Sequence, residues 1–183
     1  MIPSLQNAVI LVDENDREIG TMEKIEAHRS GALHRAFSVF LFNASGEMLI
    51  HRRSAQKYHC AGEWSNACCS HPLPGVDIAD CVSSRLRYEM GIEANLFKAF
   101  EFKYRAELDN GLIEHEYDHI YTGRYDGIPD PNPAEADAWR YVSAPALRSE
   151  MAETPDAFTP WFRMLFEKVV HHHAATDRSF QQF

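Results

Sequence analysis

The sequence predicts an α+β fold: a mixed β-sheet flanked by helices, with a C-terminal helix closing the chain. Three observations carry that prediction. Residues 36–42 form an almost unbroken apolar and aromatic run, the pattern of a strand buried on both faces. Ile78, Val82 and Leu86 recur every four residues between Asp77, a capping residue, and Gly91, a terminating one, which marks an amphipathic helix at both ends. Thr159-Pro160 then starts a second helix, with Phe162, Leu165, Phe166 and Val169 on one stripe and Trp161 off it.

In chain order, residues 8–12 read as a short apolar strand ending in the turn-forming Asp13-Glu14-Asn15-Asp16, and residues 19–22 as a second strand. Lys24, His28 and His34 follow in a loop broken at Ser30-Gly31, where a histidine is by default a solvated side chain. After the strand at 36–42, Asn43-Ala44-Ser45-Gly46 turns the chain, and residues 48–53 return as the other arm of a hairpin. That arm ends in Arg52 and Arg53 with Lys57 close behind, a cationic group suited equally to an anionic ligand and to a solvated edge. Asp80 gives the central helix a capping-box-like start. Residues 96–106 and 113–121 are two further strands joined at Asp109-Asn110-Gly111. A Pro-rich loop (127–134), a last strand (139–142) and a short helix (144–151) complete the sheet region. The C-terminal helix runs to about His171, leaving His171, His172 and His173 at its end as dipole partners or surface residues, and residues 171–183 as a tail.

At 183 residues the chain fits a single domain able to bury a substantial core. A net charge of -9 argues against nucleic acid as the main partner, because the phosphate backbone rewards a basic footprint. The four cysteines, Cys60, Cys68, Cys69 and Cys81, do not make a disulfide framework, which places the protein in the reducing cytoplasm. Met1-Ile2-Pro3-Ser4-Leu5-Gln6-Asn7 lacks the basic region and apolar core of a signal peptide, and no segment reaches the ~20 apolar residues of a membrane span. The expectation is a protein that acts without a membrane.

The candidate reactive centre is Ser65-Asn66-Ala67-Cys68-Cys69-Ser70-His71-Pro72. For Cys68 space-filling is the ready account. Cys69 and His71 are two apart, so in an extended strand a thiol and an imidazole project to the same face. Arg85 and Glu89 neighbour each other on the central helix. They suit either a surface ion pair worth less than ~1 kcal/mol or a phosphate-binding arginine beside a magnesium-binding carboxylate. On the strand at 113–121, Glu114, Glu116 and Asp118 share one face, and Ile113, His115, Tyr117, His119 and Tyr121 the other. A row of carboxylates repels itself, and a bound cation removes the repulsion; the histidines favour that reading.

Five segments together resemble one family in order and spacing: Asn66-Ala67-Cys68-Cys69-Ser70-His71-Pro72, Arg87-Tyr88-Glu89-Met90-Gly91, Phe102-Lys103-Tyr104-Arg105-Ala106, Glu114-His115-Glu116 and Thr159-Pro160-Trp161. The family is type I isopentenyl diphosphate isomerase, and the resemblance runs from about Ala8 to about Phe166. It implies a Nudix-like fold. Aligned on Gly91, the Nudix box G-x5-E-x7-R-E-U-x-E-E-x-G-U keeps Leu86, Glu89, Gly91 and Ile92. Ser70, Val76, Ser84, Arg85 and Tyr88 stand at its other places. Nudix hydrolases use those glutamates to bind metal and activate water, so their loss disfavours diphosphate hydrolysis and suits an isomerase.

Residue by residue, the resemblance implies that His28, His34, His71, Glu114 and Glu116 bind one divalent metal, zinc, manganese or magnesium. Glu89 would hold a separate Mg2+ against the diphosphate, and Lys24, Arg53, Lys57 and Arg85 would neutralise phosphate oxygens. Cys69 and Glu116 would be the proton-transferring pair, Tyr104 would assist Glu116, and Trp161 would stabilise a carbocation. Cys60-Ala61 departs from the Trp-Pro or Phe-Pro pair common in the family. The implied partner is the small diphosphate itself, turned over by a monomer or weak homodimer. Two rivals follow from the same residues: a Nudix-type hydrolase of nucleoside diphosphate derivatives, and a non-catalytic metal-binding module.

Overall fold

The computed structural model describes residues 7–180. Most of the Met1-to-Asn7 stretch and the last residues of the expected tail lie outside them. The sheet contains β1 (Ala8–Val12), β2 (Glu18–Glu23), β3 (His34–Phe42), β4 (Met48–Arg53), β5 (Trp64–Asn66), β6 (Cys68–Ser70), β7 (Leu96–Glu107), β8 (Ile113–Arg124) and β9 (Ala136–Val142). The helices are α1 (Lys24–Ser30), α2 (Ile78–Met90), α3 (Ala144–Glu153) and α4 (Pro160–Phe180). The expected α+β fold is therefore present, with both parallel and antiparallel pairs in one sheet.

Strand β3 is the axis of the sheet. One edge runs parallel to β8, from His34 opposite Glu116 to Phe42 opposite Arg124. Its other edge is shared by β1 at Leu11, β6 at residues 68–70 and β4 at residues 48–49. The expected β3–β4 hairpin therefore holds for only the pairs Leu41–Leu49 and Phe42–Met48. Beyond them β6 occupies the β3 ladder, so β4 diverges to pair with β5 and β9. β7 and β8 form the expected hairpin, its turn a short 3-10 segment at Asp109–Gly111 in which Asn110 has a φ of 67°.

The alternation of β3 separates two cores. Phe37, Val39 and Leu41 face α2, where Val82, Leu86 and Met90 are buried with Ile92 just beyond. Phe40 and Phe42 face the other side, with Ile120 of β8 and the Phe162, Leu165, Phe166 and Val169 stripe of α4. Each such aromatic or aliphatic side chain stabilises the fold by about 1.5–3 kcal/mol on burial. Asp77 caps α2 by accepting from Ala79 N at 2.8 Å, and Gly91, at φ 65°, ends it in the left-handed conformation.

Two segments depart from expectation. Residues 24–30 are a helix rather than a loop, and His28 is fully buried rather than solvated. At seven residues α1 is too short to show a period, and its cap is Glu23, whose carboxylate accepts from Glu26 N at 2.9 Å but which is not a favoured capping type. Helix α4 continues past His171 to Phe180, so the three histidines lie inside it and residues 171–180 are not a tail. Ring contacts hold that extension on the sheet: His173 stacks on Phe42 with centroids 3.7 Å apart, and His172 meets Phe100 edge-on at 5.8 Å. Among the described residues no helix is long and apolar enough to cross a membrane.

Candidate active site

The α4-side face changes character along its strands. On β3 the apolar Phe42 and Phe40 give way to Ser38 and His34; on β8, Ile120 gives way to Asp118, Glu116 and Glu114. The parallel register sets His34 beside Glu116, and the antiparallel one sets Tyr104 of β7 against the same glutamate. A continuous core thus ends in a buried polar cluster. The cavity beside it is lined by Lys24, Arg53, Lys57, Cys69, His71, Arg85, Glu89, Tyr104, Glu114, Glu116 and Trp161, residues from seven elements and from the segments after β4 and β6.

His28, His34, His71, Glu114 and Glu116 each bring one ligand-type atom into a group whose members lie within 4.8 Å of one another. Two of the imidazoles are oriented from behind. His28 Nδ1 is 2.6 Å from the Lys24 carbonyl oxygen and His34 Nδ1 is 2.8 Å from that of Ala32. A carbonyl only accepts, so both Nδ1 atoms are donors and both Nε2 atoms face the cluster, the arrangement used to aim histidine at a metal. His28 Nε2 lies 3.2 Å from Glu114 Oε2, His34 Nε2 3.2 Å from His71 Nε2, and His71 Nε2 2.9 Å from Glu116 Oε1. Among the described residues, buried His28 Nε2 and Glu114 Oε2 have no hydrogen-bond partner, as expected of atoms meant for a cation. The donor set of three imidazoles and two carboxylates fits a divalent metal.

The local electrostatics agree. Burial, with Lys24 and His34 nearby, lowers His71 well below the usual imidazole range, leaving the neutral form that ligates. Burial also opposes ionisation of Glu116, but the hydrogen bond and charge of His34, with Glu114 and Tyr104, outweigh it and lower its pKa. Asp118, next on the same face, is raised well above the carboxylate range by burial and by Glu116.

Cys69 enters through β6, where it pairs with Ser38. Its Sγ donates to Asn66 Oδ1 at 3.0 Å, and burial with the nearby Asp118 pushes the thiol up to about 12. The Tyr104 hydroxyl donates to Glu116 Oε2 at 2.6 Å. Trp161, in the first turn of α4, donates from Nε1 to Ser65 Oγ at 3.0 Å and has the Arg53 guanidinium 5.3 Å from its ring centre.

The cationic residues divide. Arg53 is buried and bonds the His59 carbonyl at 3.2 Å, while Lys57 pairs with Glu135. Arg52 projects to the opposite face and pairs with Asp137 at 2.7 Å, so it leaves the cluster that the sequence suggested. Arg85 and Glu89 are not a surface pair: Glu89 is 5% exposed and accepts from Arg85 Nη2 at 2.5 Å. Glu135 extends that pair, 3.4 Å from Arg85.

Sequence reasoning passed over His59 and Glu135, and gave Ser65 and Asn66 no task of their own within the reactive-centre segment. His59 lines the cavity 3.5 Å from Glu114 Oε1 and edge-on to Trp161; burial, followed by Arg53 and Lys24 and against the pull of Glu114, lowers it to about 3. It sits in a loop without periodicity, so only its adjacency to Lys57 was available as a signal. Asn66 was visible as part of a motif, but its role depends on contacts across the sheet.

The chain matches the NUDIX domain family over residues 32–162. It is 49% identical over 166 residues to "Isopentenyl-diphosphate Delta-isomerase 1" of Aromatoleum aromaticum, covering 91% of this chain and 94% of that protein. Identity to the "Isopentenyl-diphosphate Delta-isomerase" of Burkholderia multivorans is 46%, covering 90% of this chain and 93% of that protein. Among solved structures, DR0079 from Deinococcus radiodurans aligns with a TM-score of 0.75 at 19% identity, covering 88% of this chain and 98% of the other, a likeness of fold alone. Within the NUDIX fold, therefore, this chain belongs to the isopentenyl-diphosphate Delta-isomerase family.

Proposed function

We propose that the protein interconverts isopentenyl diphosphate and dimethylallyl diphosphate in the cytoplasm, as a monomer or weak homodimer. The observation that carries this reading is one cavity walled by a thiol, a tyrosine-bound glutamate and an indole, with cations at its edge. The single box glutamate retained in this cavity, Glu89, is already bound to Arg85.

The reaction adds a proton to the terminal alkene carbon of isopentenyl diphosphate and removes one from the carbon two bonds away. The tertiary cation between these events must be kept from water. Cys69 and Glu116 are the proton-transferring pair. Burial holds Cys69 as a thiol and the neighbours of Glu116 hold it as a carboxylate, so at rest the first is the donor and the second the acceptor. Tyr104 keeps one Glu116 oxygen oriented and Trp161 offers its ring to the cation. Lys24, Arg53, Lys57 and Arg85 bind the diphosphate. Positioned acid and base groups contribute roughly 10²–10⁴-fold each.

His28, His34, His71, Glu114 and Glu116 would hold one divalent metal, zinc, manganese or magnesium. When bound, it supplies the positive charge that lets two buried carboxylates lie side by side. Glu89, whose carboxylate accepts from Arg85, would hold a magnesium ion arriving with the diphosphate.

The test is incubation of metal-loaded protein with isopentenyl diphosphate in D2O, followed by NMR. Deuterated dimethylallyl diphosphate, lost in Cys69→Ala and Glu116→Gln, is the expected product. Unchanged isopentenyl diphosphate with cleavage of nucleoside diphosphate compounds would replace this reading with hydrolysis.

A further inference from the structure

We propose that Ser65 is a positioning residue that holds the Trp161 indole and, through the Asn66 carbonyl, the Cys69 thiol in one fixed arrangement. The inference rests on the function proposed above and assigns a task to a side chain that does not line the cavity.

Ser65, Asn66 and Thr159 are all fully buried. The directions of their hydrogen bonds follow from what each atom can do. Asn66 Nδ2 donates to the carbonyls of Val39 at 3.1 Å and Cys68 at 2.8 Å, which fixes the amide and turns Oδ1 toward Ser65 and Cys69. Oδ1 only accepts. Ser65 Oγ, 3.1 Å away, must therefore donate to it, and so must Cys69 Sγ at 3.0 Å. With its one proton committed, Ser65 Oγ is the acceptor for its other neighbours. Trp161 Nε1 donates to it at 3.0 Å, and Thr159 Oγ1, at 3.1 Å, is placed to do the same.

The result is a four-membered chain from indole to thiol, Trp161 to Ser65 to Asn66 and back from Cys69, with each proton direction determined. Its two ends are the cation-facing ring and the proton-transferring sulfur. Both must keep their orientation while the substrate changes shape and charge. A side chain with two rotatable bonds, such as Trp161, is held by packing on its faces and by this one directional bond at its edge. The same chain ties α4 to β5 next to the backbone bond from Thr159 N to the Trp64 carbonyl at 3.0 Å.

The test compares wild type, Ser65→Ala, Ser65→Thr, Ser65→Cys, Trp161→Phe and the Ser65→Ala/Trp161→Phe double variant on isopentenyl diphosphate. The indole N–H resonance of Trp161 is followed by NMR in each tryptophan-containing form. Ser65→Ala should lower kcat by about tenfold or more and leave KM within about threefold, the split expected when orientation rather than binding is lost. Ser65→Thr keeps the hydroxyl and should stay near wild type. In the Trp161→Phe background, which has no indole N–H, Ser65→Ala should cost less than it does alone, because groups in one network are non-additive. The Trp161 resonance should move upfield in Ser65→Ala and hold in Ser65→Thr.

Additive losses, an unchanged kcat in Ser65→Ala, or equal losses in the Thr and Ala variants would overturn the proposal. If Ser65→Ala fails to fold, Ser65→Cys against Ser65→Thr decides, since sulfur fills the space but accepts weakly; equal rates would overturn it. Wild-type protein inactive on isopentenyl diphosphate would sink the proposed function instead, and the indole resonance would still decide the Ser65 geometry.

Discussion

Tyr104 and Glu116 are register partners in the β7–β8 ladder, and the Tyr104 hydroxyl donates to Glu116 Oε2 at 2.6 Å. On the other side of the same glutamate, His34 is its partner in the parallel ladder, 3.7 Å from Oε1. The two carboxylate oxygens are thus assigned to different tasks by the strands on either side. Oε1 turns to the imidazoles and Oε2 to the phenol.

Tyr104→Phe should therefore remove one hydrogen bond and little else from a site that is otherwise intact. We expect kcat for isopentenyl diphosphate to fall by roughly 10–100-fold with KM changed little, read from steady-state kinetics. A kcat equal to wild type would leave Tyr104 as a packing residue.

Metal content tests the other oxygen. Purified protein should carry one tightly held divalent ion per chain, measured by elemental analysis. His71→Asn should weaken its retention about tenfold or more. Because a ligand that binds the folded state alone stabilises it, a chelator should lower the wild-type melting temperature and barely affect the His71 variant. Equal melting in both, with and without chelator, would argue against the site.

Burial and the nearby Asp118 push the Cys69 thiol up to about 12, so at pH 8 its thiolate fraction is far below that of an ordinary cysteine. A raised pKa keeps the proton on as pH rises. Iodoacetamide labelling of Cys69, followed by peptide mass spectrometry, should stay slow from pH 7 to 9, and activity should show no loss in that range from thiol ionisation. Rapid labelling at pH 8 would contradict the buried, donor-only geometry at Asn66.

Arg52 and Arg53 are adjacent in sequence but face opposite sides of β4. Arg53→Ala should raise KM for the diphosphate by about tenfold or more, and Arg52→Ala should leave it within about twofold, since an exposed pair with Asp137 contributes little. Glu135→Gln, which releases Lys57 and Arg85 from a shared carboxylate, should also change KM more than kcat. Similar KM values for the two arginine variants would mean that the strand does not sort them.

Phe162 is fully buried between Phe40 and the Phe158 and Phe166 rings of its own chain end. Phe162→Ala should destabilise the protein by about 3–5 kcal/mol in denaturant unfolding. A loss below 1 kcal/mol would show that α4 does not close the core.

Much of this was written in local patterns. The apolar run of β3, the capped helix ending at Gly91 and the Thr159-Pro160 start depend on periods and stereochemistry that neighbours alone express. The carboxylate row Glu114, Glu116 and Asp118 was likewise fixed to one face by the twofold period of a strand. The family resemblance supplied candidate roles, and the fold then set most of those side chains around one cavity, with His28 and His34 grouped with His71, Glu114 and Glu116. The sequence could not show that His28 sits on a seven-residue helix with an unfavoured cap, that α4 runs on through three histidines, or that β4 leaves β3 after two pairs. Those outcomes depend on partners far along the chain. Ring contacts on Phe42 and Phe100, the occupation of the β3 edge by β6, and the parallel register of β3 with β8 bring together residues separated by 29 to 131 positions. Local chemistry determined which residues were able to react, and the pairing of distant strands decided which of them meet, because a side chain's neighbours across a sheet are set by register and not by sequence distance.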